Sequence, residues 1–125
     1  ANAISPWTAD DKLTFAYNAD GGHEVIYTAV VNSLNNVLGD GVAATNPYPT
    51  FNDFRPAVSD RKVNGAFRSG WQPGYPSAEN YLVQNFASAA ADGNGSNDGD
   101  YKNPEIDALC DTAAASKSVA DANKL

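Results

Sequence analysis

The residues able to do covalent or metal-assisted chemistry are few. His23 is the only histidine and Cys110 the only cysteine, and they lie far apart in the chain. His23 falls at a helix start, and Cys110 on an apolar helix face, where a thiol is ordinarily inert packing. Any Ser-His-Asp or Cys-His unit would have to be built on His23 alone. A four-coordinate His/Cys metal site lacks ligands. The 15 acidic residues offer pairs for glycosidase chemistry, but no spacing singles one out. In Asp92–Asp100, the residues Asp92, Asn94 and Ser96 match the first, third and fifth ligands of an EF-hand loop. The sixth position, a Gly in that motif, is Asn97, and the twelfth, a Glu, is Asn103. The segment therefore reads as a solvated loop. Gly21-Gly22 is too short to cradle a phosphate and reads as a turn. The chain is expected to be no enzyme and to hold no metal or cofactor.

Recognition chemistry is concentrated elsewhere. Arg68-Ser69-Gly70-Trp71-Gln72-Pro73-Gly74-Tyr75-Pro76 joins an extended segment to a helix start. Small residues let a backbone approach a ligand closely, flat aromatic faces can wall a pocket, and a guanidinium can pair with a carboxylate. The competing readings are that Trp71 and Tyr75 pack a domain edge and that Arg68 makes a surface ion pair.

The elements that would position this loop follow from periodicity. Leu13–Tyr17 alternates large and small side chains as a strand does, and Asn18–Gly22 breaks it with turn chemistry. From His23 the spacing becomes helical, with Val25, Ile26, Ala29, Val30, Leu34, Val37 and Leu38 forming one apolar face that ends at Gly39 or Gly41. Residues 42–46 read as a second strand, which completes a βαβ unit with a right-handed crossover. Asn46–Thr50 reads as a rigid connection through Pro47 and Pro49. A short helix is expected in 51–62 only after Pro56, and Ala66–Trp71 reads as a third strand. Ser77 caps a helix that should bury Tyr81, Leu82 and Phe86. Ala89–Asp100 reads as an exposed loop. Asn103-Pro104-Glu105 starts a helix with Ile106, Leu109, Cys110 and Ala113 on one face, and Ser118 starts another.

Composition bounds the partners. The 125 residues make about one domain, with 42% hydrophobic residues, a formal charge of −7 and a pI near 4.3. That sign repels nucleic acid and anionic membrane. No apolar run approaches the ~18 residues that span a bilayer. Residues 1–11 read as a lead-in without a signal peptide, and 12–125 as one lobe whose C-terminus reads as cut. Any export signal or lipid anchor is expected outside this chain.

Three motifs in this order carry a resemblance. Gly39-Asp40-Gly41-Val42 leads into strand 2. Arg68-Ser69-Gly70-Trp71 is followed by Tyr75-Pro76 and Glu79-Asn80-Tyr81-Leu82. Tyr101-Lys102-Asn103-Pro104-Glu105-Ile106-Asp107 then opens a helix. Over residues 12–125 the chain resembles the family 5 extracellular solute-binding proteins, the oligopeptide and dipeptide receptors of ABC importers. The resemblance implies an α/β fold with a mainly parallel sheet of at least three strands, helices on both faces, and one lobe of a two-lobed periplasmic-binding-protein-like receptor. It places the segment in the C-terminal lobe of a bacterial extracellular, cell-surface or periplasmic protein that hands its solute to a permease. It also implies that Gly70 offers backbone hydrogen bonds to an extended peptide, that Trp71 walls a side-chain pocket, and that Arg68 pairs with a ligand carboxylate. Ser69, Gly74 and Tyr75 complete the expected ligand-binding set. Peptide-binding members usually carry an Asp three residues after the Trp, which holds the ligand's α-amino group. That position here is Gly74, so the counter-charge for an ammonium is missing. Oligopeptide is the expected ligand, with an oligosaccharide or a protein-interaction role as the alternatives.

Overall fold

The computed structural model describes residues 11–124; of the lead-in read over 1–11, only Asp11 is among them. The chain divides between Ser69 and Gly70 into two compact units.

The first unit is built around strand β1 (Leu13–Asn18), which lies between β2 (Ala43–Tyr48) and β3 (Ala66–Phe67) in an all-parallel sheet of order β2-β1-β3. Successive side chains of a strand point to opposite faces, and β1 uses both. Phe15 and Tyr17 turn to helix α1 (Glu24–Leu38), where Tyr17 stacks on Tyr27 with ring centroids 4.9 Å apart. Ala16, fully buried, turns to helix α2 (Phe51–Ser59), where it packs with Phe54 and Val58 in the core. Tyr48 and Phe67 close that cluster, and the Tyr48 ring meets Phe54 edge-on at 5.6 Å. The expected α/β architecture, with helices on both faces of a parallel sheet, is present in this unit. Opposite faces are what two right-handed crossovers require when the first moves from β1 to β2 and the second returns past β1 to β3.

Several details depart from the sequence reading. The outward-pointing aliphatics of α1 are not its sheet face. Val31 is buried and Tyr27, Leu34 and Asn35 half-buried, whereas Val25 is 80% exposed and Val37 82%. Asn35 holds the helix to the sheet by accepting the Ala43 N–H at 2.7 Å and donating to the Ala43 carbonyl at 3.1 Å. Strand β2 continues through Pro47 to Tyr48 instead of giving way to a connection at Asn46. A residue without an N–H is tolerated there because β2 lies at the edge of the described sheet. Helix α2 begins at Phe51, before Pro56. The Thr50 hydroxyl oxygen accepts the Asp53 N–H at 3.2 Å, and the Asp20 carboxylate accepts the Phe51 N–H at 3.1 Å. With Phe54 and Val58 also buried, one missing N–H in the helix is outweighed.

Strand β3 is two residues long, not the six expected from Ala66 to Trp71. Its ladder ends with the Arg68 N–H donating to the Ala16 carbonyl at 2.7 Å. Ser69 then offers only a small, exposed side chain and Gly70 none. Gly65 makes the approach possible: its φ is +99°, and a Cβ there would lie 2.5 Å from Thr14 Oγ1. Thr14 in turn donates to the Asn64 carbonyl at 2.6 Å.

The second unit is helical: α3 (Ala78–Phe86), a 3-10 turn at Ser88–Ala90, α4 (Pro104–Ala114) and the short α5 (Val119–Ala122). Asn103 caps α4 by accepting the Glu105 N–H at 2.9 Å, and Ser118 caps α5 by accepting the Asp121 N–H at 3.1 Å. Asp107 on α4 accepts the Ser88 N–H at 2.8 Å, and these bonds from Ser88 hold its carboxyl below the usual range. Thus Asn103 and Asp107, two residues of the Tyr101–Asp107 motif, organise the backbone on either side of the loop. The face of α3 expected to be buried is half in solvent: Tyr81, Leu82 and Phe86 all rank as exposed. So small a unit has too little interior to cover them; Phe86 finds only the Tyr101 ring, edge-on at 6.4 Å.

Candidate functional site

In an open parallel sheet, ligands bind beyond the carboxyl ends of the strands where successive crossovers leave in opposite directions. In the order β2-β1-β3 that place is between β1 and β3. The residues leaving β3 there are Arg68 and Ser69, the start of the stretch singled out by its residue types. The other side of the position is formed by the end of β1. Asn18 Nδ2 donates to Asp20 at 2.7 Å, and this bond, with the one from the Phe51 N–H, draws the Asp20 carboxyl below its ordinary range. Beside it the His23 ring lies so close over Gly21 that a Cβ there would be 2.5 Å from Nε2.

Of the six residues expected to contact ligand, Arg68 and Ser69 end the first unit. Arg68 is half-buried, with its backbone pinned to β1, and Ser69 is exposed. Gly70, Trp71, Gly74 and Tyr75 belong to the second unit and are all exposed, Trp71 by 38%. Gly74 is fixed by its N–H, which donates to Asn80 Oδ1 at 2.8 Å, and the Ser77 N–H donates to the Tyr75 carbonyl at 2.9 Å. Helix α3 therefore holds the loop at Gly74 through Asn80. Neither positive φ nor crowding requires glycine at position 74, since a Cβ there meets nothing within 4 Å. Tyr75 borders a shallow depression with Glu79 and Ser118.

The catalytic and metal candidates are engaged otherwise. His23 and Cys110 belong to different units. Cys110 is 9% exposed, and burial, reinforced by Asp107, Asp111 and Glu79, pushes its thiol up, away from a reactive thiolate. In the loop tested as a calcium site, Asp92 pairs with Lys102 and donates its N–H to Asp100 at 2.7 Å. Among the described residues no group of three His, Cys, Asp or Glu is placed to hold a metal ion, and no helix is long and apolar enough to cross a membrane.

Sequence reasoning missed two residues. Asn80, which anchors Gly74, stands in the Glu79–Leu82 motif but has no local signal for that role. Asn97 sits in the supposedly exposed loop, yet it is 1% exposed. Its Nδ2 donates to the carbonyls of Ala87 at 3.1 Å and Tyr101 at 2.7 Å, and its Oδ1 accepts the Tyr101 N–H at 3.1 Å. A Gly/Asn/Asp-rich composition conceals one buried amide among exposed ones, so the loop is an ordered connection between α3 and α4.

No protein-family model and no curated protein matches the chain in sequence. Among solved structures, OppA of Haemophilus influenzae in complex with RPPGFSPFR superposes with TM-score 0.72 and 19% identity, covering 91% of this chain and 21% of that one. The murein tripeptide binding protein MppA of Escherichia coli gives TM-score 0.71 and 20% identity, again over 91% of this chain and 21% of the other. The chain thus spans about a fifth of the length of the solved proteins it matches. At these identities the likeness is one of fold. This chain has the fold of a segment of these two proteins.

Proposed function

We propose that this chain is part of a two-lobed receptor that captures a solute, foremost an oligopeptide, for uptake by an ABC importer. What supports the reading is that Arg68 and Ser69, the first residues of the loop, leave the carboxyl end of β3 beside β1, in a chain whose fold is shared with two peptide-binding proteins. In this reading Gly70 presents backbone groups to an extended ligand, Trp71 covers a ligand side chain when the lobes close, and Arg68 pairs with a carboxylate. Ser69, Gly74 and Tyr75 complete the loop's contact surface. Backbone bonds then supply affinity while pockets tolerate varied side chains. No covalent step is involved. The permease is met by the complete receptor outside the membrane.

Gly74 shapes the specificity. Without a carboxylate at this position the loop has no local counter-charge for a ligand's α-ammonium, so a ligand should be held along its backbone rather than by its amino end. Titrating the full-length receptor with a peptide library, with Trp fluorescence as readout, tests the reading. Saturable quenching or enhancement by peptides is expected. Silence across the library together with a response to oligosaccharides would replace peptide by sugar. These 125 residues alone should bind such ligands too weakly to measure, because the opposing lobe excludes water and supplies the other wall.

A further inference from the structure

Between α3 and α4 of the helical unit lies a cavity of about 180 Å³ whose walls are Leu82, Val83, Ile106, Leu109 and Cys110, with Glu79 as its one charged residue. An apolar cavity of about 150 Å³ is enough to admit a benzene ring. A second, shallower depression of about 110 Å³ shares Glu79, Ala113 and Ala122 with the first and is lined on its far side by Tyr75, Ser77 and Ser118. The two depressions adjoin at Glu79, Ala113 and Ala122, the first lined mainly by apolar side chains and the second carrying the hydroxyl residues Tyr75, Ser77, Ser116 and Ser118. Among the described residues no side chain bonds to the Glu79 carboxylate. The local field is negative as well, because Asp107, Asp111 and Glu79 all act on the Cys110 thiol to disfavour its anion.

We propose that this groove is a binding site for a small amphiphilic cation, with a single ring or branched aliphatic group in the cavity and an ammonium on Glu79. The apolar end supplies the hydrophobic contribution, about 25 cal/mol for each Å² of apolar surface removed from water. Glu79 sets the sign of the ligand. A charge-assisted hydrogen bond to its carboxylate is about twice as strong as a neutral one, which makes a cation about tenfold tighter than its neutral isostere. An anion would meet the Glu79 carboxylate in the lining and no cationic side chain. The site lies wholly within the second unit and does not depend on the two-lobed reading.

The test uses the full 125-residue chain and three ligands that share a phenyl ring but differ in charge: phenethylamine, 2-phenylethanol and 3-phenylpropionate. Calorimetric titration at low salt should rank amine above alcohol by about tenfold, with the acid below detection. Glu79→Gln should bring the amine down to the alcohol and leave the alcohol unchanged. Because Glu79 is half-exposed, this variant should fold, which circular dichroism checks. A second readout separates the groove from loose cation binding by an acidic surface. Saturating amine should slow modification of Cys110 by a small neutral thiol reagent, since the ligand covers the thiol that lines the cavity. Equal binding of all three ligands, an amine preference that survives Glu79→Gln, unprotected Cys110, or no binding at all would each overturn the proposal.

Discussion

Replacing Asn97 by Ala removes a side chain that is 1% exposed and bonds to the Ala87 carbonyl and to both backbone groups of Tyr101. The carbonyl of Ala87 loses its Asn97 donor, and both backbone groups of Tyr101 lose their Asn97 partner. A net intramolecular hydrogen bond contributes about 1 kcal/mol, and a buried group left unpaired costs at least as much. The variant should therefore lose about 3 kcal/mol. With a urea dependence of about 1.5 kcal/mol per molar for a chain this small, the unfolding midpoint should fall by about 2 M. Asn94→Ala, in the same loop but at an exposed position, is the matched control and should stay within about 0.5 kcal/mol of the parent chain. Urea titrations followed by far-ultraviolet circular dichroism supply both numbers. If Asn97→Ala and Asn94→Ala shifted the midpoint equally, the loop would be the solvated tract its composition suggests, and its role in fixing α3 against α4 would be refuted.

Two further outcomes follow from the same geometry. Gly74→Asp should leave the fold unchanged, since a Cβ there meets nothing within 4 Å; in the full-length receptor it should raise affinity for peptides with a free amino terminus about tenfold over their acetylated forms, as calorimetry would read. The Asp20 carboxyl is held low by Asn18 and Phe51, and the Asp107 carboxyl by Ser88. Folded values below the unfolded value of about 3.9 mean that this stability is present above that pH and is lost as pH falls through the folded values. Urea midpoints should drop below about pH 4. Asp107→Asn, which can still accept the Ser88 N–H, should flatten the drop.

The central βαβ unit was legible because its signals agree. Leu13–Tyr17 alternates, Glu24–Leu38 is long and helical in period, and glycines punctuate both ends of the connection. Which face of α1 meets the sheet was not legible, because aliphatic residues surround the helix while the contacts are made by Tyr27, Val31 and a polar Asn35. Helix α2 was expected only after Pro56, although Thr50-x-x-Asp53 is a capping signal that places the start earlier. The third strand was overextended, because the residues of Ala66–Trp71 say nothing of where the ladder to β1 stops. The Arg68–Tyr75 stretch stood out by residue type, and the position of its first two residues, Arg68 and Ser69, at the end of β3 became visible only with the strand order. Asn97 could not be distinguished from its neighbours by composition, since burial is decided by the carbonyls of Ala87 and Tyr101, on either side of the loop.

The central claim is that a ligand of the complete receptor sits on Arg68–Tyr75. Amide hydrogen exchange of the full-length receptor, with and without a saturating peptide, measures this directly. The account predicts slowed exchange at the amides of Ser69–Trp71 and of Gly74–Tyr75, with Trp71→Ala weakening both the protection and the binding. Saturable binding that leaves exchange across 68–75 unchanged would contradict it.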